Sequence, residues 1–244
     1  MQRLADLIEK SKNCVFLSGA GISTLSGIPD FRGSNGLYAK YDANKIFDIE
    51  YFREDPSYFY THAMDFIYNL DEKEPNIVHR TLAHLEEKGY VKAVITQNID
   101  LLHQKAGSFN IIEVHGSPAT HRCLSCNKTY SYDEIREQLK NHTVPYCTDC
   151  KGLIKPDIIF FGEMLNQDSF NRAINVSATA DLFVIIGSSL VVQPAASLPM
   201  LSLKAGGKLV IINNMPTPLD GYANLKYDDL GEIFNYLSDY FSEK

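Results

Sequence analysis

The sequence has few cysteines, no long hydrophobic run and no excess of basic residues. Five cysteines in 244 residues are too few for a disulfide scaffold, and four of them fall in two Cys-x-x-Cys pairs, which favours metal binding. The longest apolar stretches, such as Leu182–Ile186, are much shorter than the roughly 18–20 residues that cross a bilayer, so no membrane-spanning segment is expected. Lys and Arg number 23 against 30 Asp and Glu, and the net charge of −7 argues against nucleic acid as a partner.

The N-terminus lacks the apolar core of a secretory signal. Met1–Lys10 interleaves charged residues with Leu4, Leu7 and Ile8, which predicts an amphipathic helix. We therefore expect a cytoplasmic protein. Its 45% hydrophobic and 22% charged residues are typical of a globular chain, and its length allows one or two domains.

Short apolar runs rich in β-branched residues recur along the chain. These runs are Cys14–Leu17, Val91–Thr96, Ile111–Val114, Ile158–Phe161, Leu182–Ile186 and Leu209–Ile212. Helical periodicity lies between them, as in Asn76–Lys88, which Gly89 ends, and in Gln167–Ala180. Apolar strands that alternate with helices predict an α/β fold with a doubly wound parallel sheet.

Two stretches interrupt this alternation and predict a smaller lobe. Residues 33–75 are rich in Tyr and Phe and show no strand pattern, so we expect a helical module there. Residues 119–154 carry the four clustered cysteines among turn-prone neighbours. The predicted large domain then comprises 1–32, 76–118 and 155–244, and the small domain combines the helical module with a zinc ribbon at 119–154.

The cysteine spacing is the strongest single motif. Cys123-x-x-Cys126 and Cys147-x-x-Cys150 enclose twenty residues, the two-knuckle pattern of a tetrahedral zinc site. Four thiolates leave no open coordination position, which indicates one structural Zn²⁺. A redox Cys-x-x-Cys is the alternative. Cys14 lies within an apolar strand and is expected to be a buried small hydrophobe.

Polar segments follow or lie close to most of the predicted strands. They are Gly19-Ala20-Gly21, Ser26–Gly33, Thr96–Asp100, His115-Gly116, Gly187–Ser189 and Asn213-Asn214. The carboxyl ends of parallel strands meet at one edge of a sheet, where open α/β folds bind ligands. Glycines before a helix suit a pyrophosphate, and amides and carboxylates suit ribose hydroxyls and a carboxamide. Taken singly, each segment has an alternative as a tight turn, a helix N-cap or a structural histidine.

These segments, the four cysteines and Phe161-Gly-Glu163 stand in the order and spacing of the sirtuins, which the chain resembles from Met1 to about Phe241. The resemblance implies a Rossmann-type large domain and a small domain of zinc ribbon and helices, with NAD and acyl-lysine meeting between them. It implies an enzyme that removes acetyl groups from lysine side chains of proteins or peptides. NAD is consumed, and nicotinamide and O-acetyl-ADP-ribose are released.

The resemblance also implies site residues. His115 would be the general base and Asn98 a second catalytic residue. The implied cofactor-binding residues are Gly19, Ala20, Gly21, Thr24, Asp30, Phe31, Arg32, Gln97, Asn98, Ile99, Asp100, Gly187, Ser188, Ser189, Asn213, Asn214, Leu230 and Gly231. The peptide would add as a strand beside Ile159, Phe161, Gly162, Glu163, Leu190, Val191 and Val192. The implied zinc ligands are Cys123, Cys126, Cys147 and Cys150.

Two other functions compete with this interpretation. NAD-dependent mono-ADP-ribosyl transfer to protein would need the same cofactor groups. A zinc-ribbon module that binds a partner without catalysis is the more remote alternative. Zinc ribbons often bind polynucleotides, but the net negative charge of this chain argues against such a partner. Acyl preference is also predicted. Family members that prefer succinyl-lysine carry Tyr-x-x-Arg in the helical module, whereas no arginine lies between Arg53 and Arg80 here.

Overall fold

A parallel sheet of six strands and an antiparallel sheet of three organise the chain, whose structure, a computed structural model, describes residues 1–33 and 36–242. The strands are β1 (Cys14–Ser18), β2 (Val91–Thr96), β3 (Ile111–Glu113), β4 (Gly116–Cys123), β5 (Thr129–Ser131), β6 (Ile154–Ile158), β7 (Leu182–Ile186), β8 (Lys208–Ile212) and β9 (Leu225–Tyr227). The α-helices are α1 (Gln2–Lys10), α2 (Leu37–Lys40), α3 (Ile49–Glu54), α4 (Pro56–Ala63), α5 (Ile77–Glu87), α6 (Leu102–Lys105), α7 (Tyr132–Leu139), α8 (Gln167–Thr179), α9 (Pro199–Lys204) and α10 (Leu230–Ser242). No helix of the described residues is long and apolar enough to cross a membrane.

The large sheet has the order β3-β2-β1-β7-β8-β9, and every neighbouring pair is parallel. Strands β2 and β3 extend the sheet from one edge of β1, and β7, β8 and β9 extend it from the other edge. The strand order therefore reverses between β1 and β7, which is the switch point where doubly wound sheets bind ligands. The predicted Rossmann-type fold is confirmed.

Helices cover both faces of this sheet. One core packs α1, α5 and α10 against it through residues such as Leu4, Leu82 and Phe234, all fully buried. A second core packs α8 and α9 on the opposite face, around Phe183 and Ile211. Because both faces are covered, β1, β7 and all but the first residue of β8 are buried, as their continuous apolar runs predicted.

The smaller lobe has its own aromatic core. Its sheet, ordered β5-β4-β6, is antiparallel, and α2, α3, α4 and α7 lie with it. Phe52, Phe59 and Phe160 meet with ring centroids 5.0–5.5 Å apart, which is the spacing of favourable aromatic pairs. Helices and loops do occupy the described part of 33–75, as expected.

One predicted strand is wrong. The run Ile158–Phe161 does not form a strand of the large sheet, because β6 ends at Ile158 and pairs antiparallel with β4 instead. Pro156 has no N–H to donate, yet it is tolerated because β6 lies at the edge of the small sheet. Strands β4, β5 and β9 were not predicted. β4 and β6 each run across a predicted domain boundary, at 118/119 and 154/155.

Candidate active site

A cavity of about 550 Å³ opens where the strands of the large sheet end and face the smaller lobe. Most of the predicted cofactor residues line it, namely Gly19, Ala20, Gly21, Asp30, Phe31, Arg32, Gln97, Asn98, Ile99, Gly187, Ser188, Ser189, Asn213 and Asn214. His115 lines it too, together with the predicted peptide residues Ile159, Phe161, Gly162, Glu163, Val191 and Val192. Segments far apart in sequence therefore share one wall.

The loops after β1 and β7 touch at this switch point. The N–H of Gly21 donates to the carbonyl of Gly187 at 2.9 Å. A Cβ on Gly19 would lie 2.7 Å from that same oxygen, and a Cβ on Gly21 would lie 2.9 Å from the Gly187 Cα. A larger residue does not fit at either position, because the loops after β1 and β7 contact each other there. The segment expected to precede a helix is itself the start of a 3₁₀ helix, Ala20–Ser26.

Asn98 and Asp100 form a buried polar corner under the cavity. The Asn98 Nδ2 donates to the Gly19 carbonyl and to the Ser23 Oγ, each at 3.2 Å. The Ser23 hydroxyl donates to Asp100 at 2.5 Å, and the Leu102 N–H donates to the other carboxylate oxygen at 2.9 Å. Burial raises the pKa of Asp100, and these hydrogen bonds oppose the rise. The Asn98 Oδ1 is buried and has no hydrogen-bond partner within the protein, which is uncommon for a buried polar atom.

His115 presents one ring nitrogen to the protein. Its Nδ1 lies 3.1 Å from the Gln97 carbonyl oxygen, which can only accept, so in the neutral ring Nδ1 carries the proton. Nε2 then keeps the lone pair that a general base needs. Burial lowers the pKa of His115, and the bond to Gln97 partly offsets that effect. The ring is therefore neutral and oriented near pH 7.

Other polar residues of the wall are partly engaged within the protein. The Gln97 Nε2 donates to the Ser188 Oγ at 2.8 Å, and the Leu190 N–H also donates to that hydroxyl. The Asn213 Nδ2 donates to the Met215 carbonyl at 2.8 Å. The first of these bonds joins the loops after β2 and β7, and the other two lie within the loops after β7 and β8. The loops are thus ordered by their own side chains.

The segment after β6 joins the two lobes. The Ile159 N–H donates to the His115 carbonyl at 2.9 Å. Two residues on, the Phe161 N–H donates to the Phe47 carbonyl at 2.7 Å, and the Ile49 N–H donates to the Phe161 carbonyl at 3.1 Å. The position of Phe161 therefore depends on both lobes.

Five of the predicted cofactor- and peptide-binding residues do not line this cavity. Thr24 is exposed and donates to the Gly21 carbonyl. Asp100 lines a small adjoining pocket of about 30 Å³, and Leu190 is buried in the core beside α8 and α9. Leu230 and Gly231 begin α10 away from the lining. The roles given to these five, like those of the residues that line the cavity, remain predictions.

Several cavity residues were not predicted. They include Tyr38, Phe47, Met164, Phe170, Gln193, Pro194 and Met215. Tyr38 and Phe47 both pack against Phe31, with centroids 5.6 and 5.9 Å from its ring. The aromatic richness of 33–75 indicated a core there, but sequence gave no sign that this core would form a cavity wall.

The four cysteine sulfurs lie within 4.8 Å of one another. Cys123 and Cys150 are 3.5 Å apart, and Cys126 and Cys147 are 3.6 Å apart. Four sulfurs at about 2.3 Å from a tetrahedral zinc would be roughly 3.8 Å apart, so the donor set fits one Zn²⁺. The Ser125 N–H and the Tyr130 hydroxyl also point to cysteine sulfurs, at 3.4 and 3.1 Å. The chain can hold one structural zinc.

A Rossmann-type sheet, a zinc-binding lobe and, between them, a cavity that both polar and apolar residues line are the features of a class of dinucleotide-dependent enzymes. Residues 19–194 match the Sir2 family. The chain is 50% identical over 228 residues to an NAD-dependent protein deacetylase of Thermotoga maritima, covering 93% of this chain and 92% of that protein. Two solved Sir2 structures each superpose with a TM-score of 0.94 and 46% identity over all of this chain. One has a p53 peptide and NAD⁺, covering 99% of the solved chain, and the other has a deacetylated p53 peptide and 3′-O-acetyl-ADP-ribose, covering 98%. The chain belongs to the Sir2 family.

Proposed function

We propose that this protein removes acetyl groups from lysine side chains of proteins, using NAD as co-substrate. The observation that carries the proposal is the cavity lining, which brings together His115, with its ring oriented by the Gln97 carbonyl, and Asn98, whose buried Oδ1 has no partner within the protein. The Thermotoga maritima relative, an NAD-dependent protein deacetylase, supports the same reaction.

The NAD-binding residues would divide along the cavity. Gly19, Ala20 and Gly21 on one loop and Gly187 and Ser188 on the other would let the pyrophosphate approach the backbone at the switch point. The N–H groups of the three glycines already donate to the carbonyls of Ile186, Gly187 and Ile212, so close approach is what these glycines would supply. Arg32 is exposed at the rim, where a guanidinium can pair with a pyrophosphate. NAD supplies the ADP-ribosyl group that receives the acetyl group, with nicotinamide as leaving group.

Asn98 would hold the carboxamide end of the co-substrate. Its Oδ1 is an acceptor without a partner, which matches the N–H of an amide, and its Nδ2 is already committed to Gly19 and Ser23. Asp100 fixes Ser23 and thereby the orientation of Asn98. The neighbouring Phe31 would cover the ribose and exclude water from the reacting centre.

His115 would move the proton. Its Nδ1 is held by the Gln97 carbonyl, so Nε2 accepts a proton from a sugar hydroxyl. The acyl-lysine peptide would lie between 161–163 and 189–192, with its backbone paired as an added strand. Apolar Ile159 and Phe161 at this point suit a neutral acyl group.

The proposal includes the domain division and the location. The large domain would comprise 1–32, 76–118 and 155–244, the small one 33–75 and 119–154, and the protein would act in the cytoplasm.

The test is to incubate the zinc-loaded protein with NAD and an acetyl-lysine peptide and to identify the products by mass. O-acetyl-ADP-ribose and deacetylated peptide in equal amounts are expected. ADP-ribosylated protein without deacetylation would favour mono-ADP-ribosyl transfer instead. No NAD consumption with any acylated peptide would reject both enzymatic functions.

A further inference from the structure

A buried ammonium lies behind the peptide side of the cavity. Lys155 is in β6, and its side chain is 5% exposed. Its Nζ donates to the carbonyls of Pro156 and Ile158 at 3.1 and 2.5 Å, and it lies 2.8 Å from the Glu163 carboxylate. The three N–H bonds of the ammonium are thus all used. Lys155 pairs in register with Arg122, next to Cys123, but a cation does not bind zinc and Lys155 does not line the cavity, so neither zinc binding nor contact with substrate explains it.

Glu163 uses this ion pair to close a turn. The same carboxylate oxygen accepts from the Phe160 N–H at 2.7 Å, and the Glu163 N–H donates back to the Phe160 carbonyl at 3.0 Å. The Lys155 Nζ also lies 4.1 Å from the centroid of the Phe160 ring, within the range of a cation–π contact. Lys155 therefore contacts both ends of the turn Phe160–Glu163.

The middle of this turn is exposed, and its backbone is held on one side by the hydrogen bonds of Phe161 with Phe47 and Ile49. Phe161 is 46% exposed and the following Met164 is 88% exposed. Gly162 has φ of +92°, and a Cβ there would lie 2.9 Å from the Ile49 Cγ2, so the turn accepts only glycine at that point. An exposed segment of this kind needs contacts with buried groups if it is to keep one conformation.

We propose that Lys155 is a positioning residue for the acyl-lysine peptide: through Glu163 and Phe160 it fixes the turn against which the peptide backbone pairs. This inference rests on the proposed deacetylase function. Removal of the ammonium would leave the half-buried Glu163 carboxylate without its cation and release the turn. The peptide would then have to order the turn when it binds, which weakens binding.

The experiment measures the Kd of a fluorescent acetyl-lysine peptide by anisotropy for Lys155→Met, Lys155→Arg, Glu163→Gln and the double variant Lys155→Met/Glu163→Gln. Lys155→Met should raise that Kd by about tenfold or more, the cost of one buried partner left unpaired. Lys155→Arg, which keeps the cation, should recover most of the affinity. The double variant should bind no worse than the weaker single variant, because both changes break one pair.

Two further readouts separate positioning from a general loss of stability. Hydrogen exchange in residues 158–165 should accelerate in Lys155→Met and in Glu163→Gln, while KM for NAD at saturating peptide stays within about twofold of wild type. Arg122→Met removes another ion-paired cation from the same sheet, the partner of Asp157, and should leave the peptide Kd unchanged.

The outcomes are decisive in either direction. A folded Lys155→Met with wild-type peptide affinity would overturn the proposal, as would losses that add in the double variant. If Lys155→Met does not fold, Glu163→Gln decides, because unchanged exchange and unchanged affinity in that variant would reject the anchor. A wild-type protein that binds no acetylated peptide would instead count against the proposed function, while the exchange measurements would still report on the turn.

Discussion

His115 differs from the other histidines in that it lines the cavity. The Gln97 carbonyl holds its Nδ1–H, which leaves Nε2 as the basic nitrogen. We expect His115→Ala to lower kcat by about 10²–10⁴-fold, the usual contribution of a positioned general base, with little change in Tm. The measurements are NAD-dependent deacetylation and a thermal melt. His142→Ala, at an exposed histidine of the smaller lobe, is the matched control and should keep full activity. Activity of His115→Ala near that of wild type would remove the imidazole from the mechanism.

At this scale, sequence predicted residue identities better than their contacts. Gly19 and Gly21 were predicted to admit a phosphate, yet the structure shows that each must be glycine because the Gly187 loop packs on it. The partner is 166 to 168 residues away, so no local pattern could indicate it. Asn98 and Asp100 are close in sequence, but only the fold shows that one lines the main cavity and the other supports it.

The zinc ribbon is the first element whose removal can be tested. Alanine at Cys123, Cys126, Cys147 or Cys150 should release the metal and destabilise the smaller lobe, since a closed thiolate site contributes folding free energy directly. Metal analysis and a thermal melt are the measurements. Cys14→Ala is the control, because Cys14 is buried in β1 of the other sheet and should leave one zinc per chain. Full activity in a zinc-free protein would contradict the structural role.

The side chains of the helical module indicate that acetyl-lysine is a better substrate than succinyl-lysine. Two of its tyrosines have partners outside the cavity: the Tyr60 hydroxyl donates to the Ile154 carbonyl, and that of Tyr58 accepts from the Asp42 N–H. Arg32 is the one Lys or Arg among the described residues lining the cavity, and it is proposed to bind pyrophosphate. A succinyl carboxylate would therefore be buried without a cation, at a cost of at least about 1–3 kcal/mol.

We accordingly expect kcat/KM for an acetylated peptide to exceed that for its succinylated form by at least about tenfold, equivalent to about 1.4 kcal/mol. His62 of the same module does not line the cavity, because its ring packs against those of Tyr41 and Tyr58. Both peptides should be compared at pH 8, where an ordinary histidine is neutral. Equal rates would show that a cation reaches the acyl group by another route.

The sequence predicts strands correctly where helices cover both faces of their sheet. Strands β1, β2, β7 and β8 have apolar runs because helices cover both faces of their sheet. β4 is partly exposed and reads Gly-Ser-Pro-Ala-Thr-His-Arg-Cys, so neither an apolar run nor a clean alternation marks it. β9 has only three residues at a sheet edge, too few for any pattern.

The whole molecule should lose stability in acid through two buried histidines behind the site. The rings of His79 and His103 are 4.9 Å apart, and each has one buried nitrogen without a partner. Burial lowers the pKa of His79 to about 4 and that of His103 to about 3, against about 6.5 in the unfolded chain. Below pH 6.5 the unfolded chain therefore binds protons that the folded chain excludes.

The free energy of unfolding should thus be unaffected by these groups above pH 6.5 and fall as the pH drops towards 4. Each histidine contributes a slope of up to about 1.4 kcal/mol per pH unit. Urea unfolding at pH 7, 6 and 5 measures the slope, and His103→Gln should reduce it by roughly one histidine's share, whereas His142→Gln should not change it. Identical slopes in wild type and His103→Gln would contradict the assignment.

The shared core of the smaller lobe bears on how the chain reaches its native state. The Tyr60 hydroxyl and the Ile154 carbonyl that it contacts are 94 residues apart, whereas the cysteine pairs enclose only twenty. Short loops close much faster than contacts of long sequence separation form. Zinc can therefore order the ribbon first and give the aromatic residues of 46–70 a surface on which to dock. Refolding after dilution from urea can be followed by tyrosine fluorescence, and it should be slower when a chelator is present throughout. Equal rates would show that the helical module and the zinc ribbon assemble without the metal.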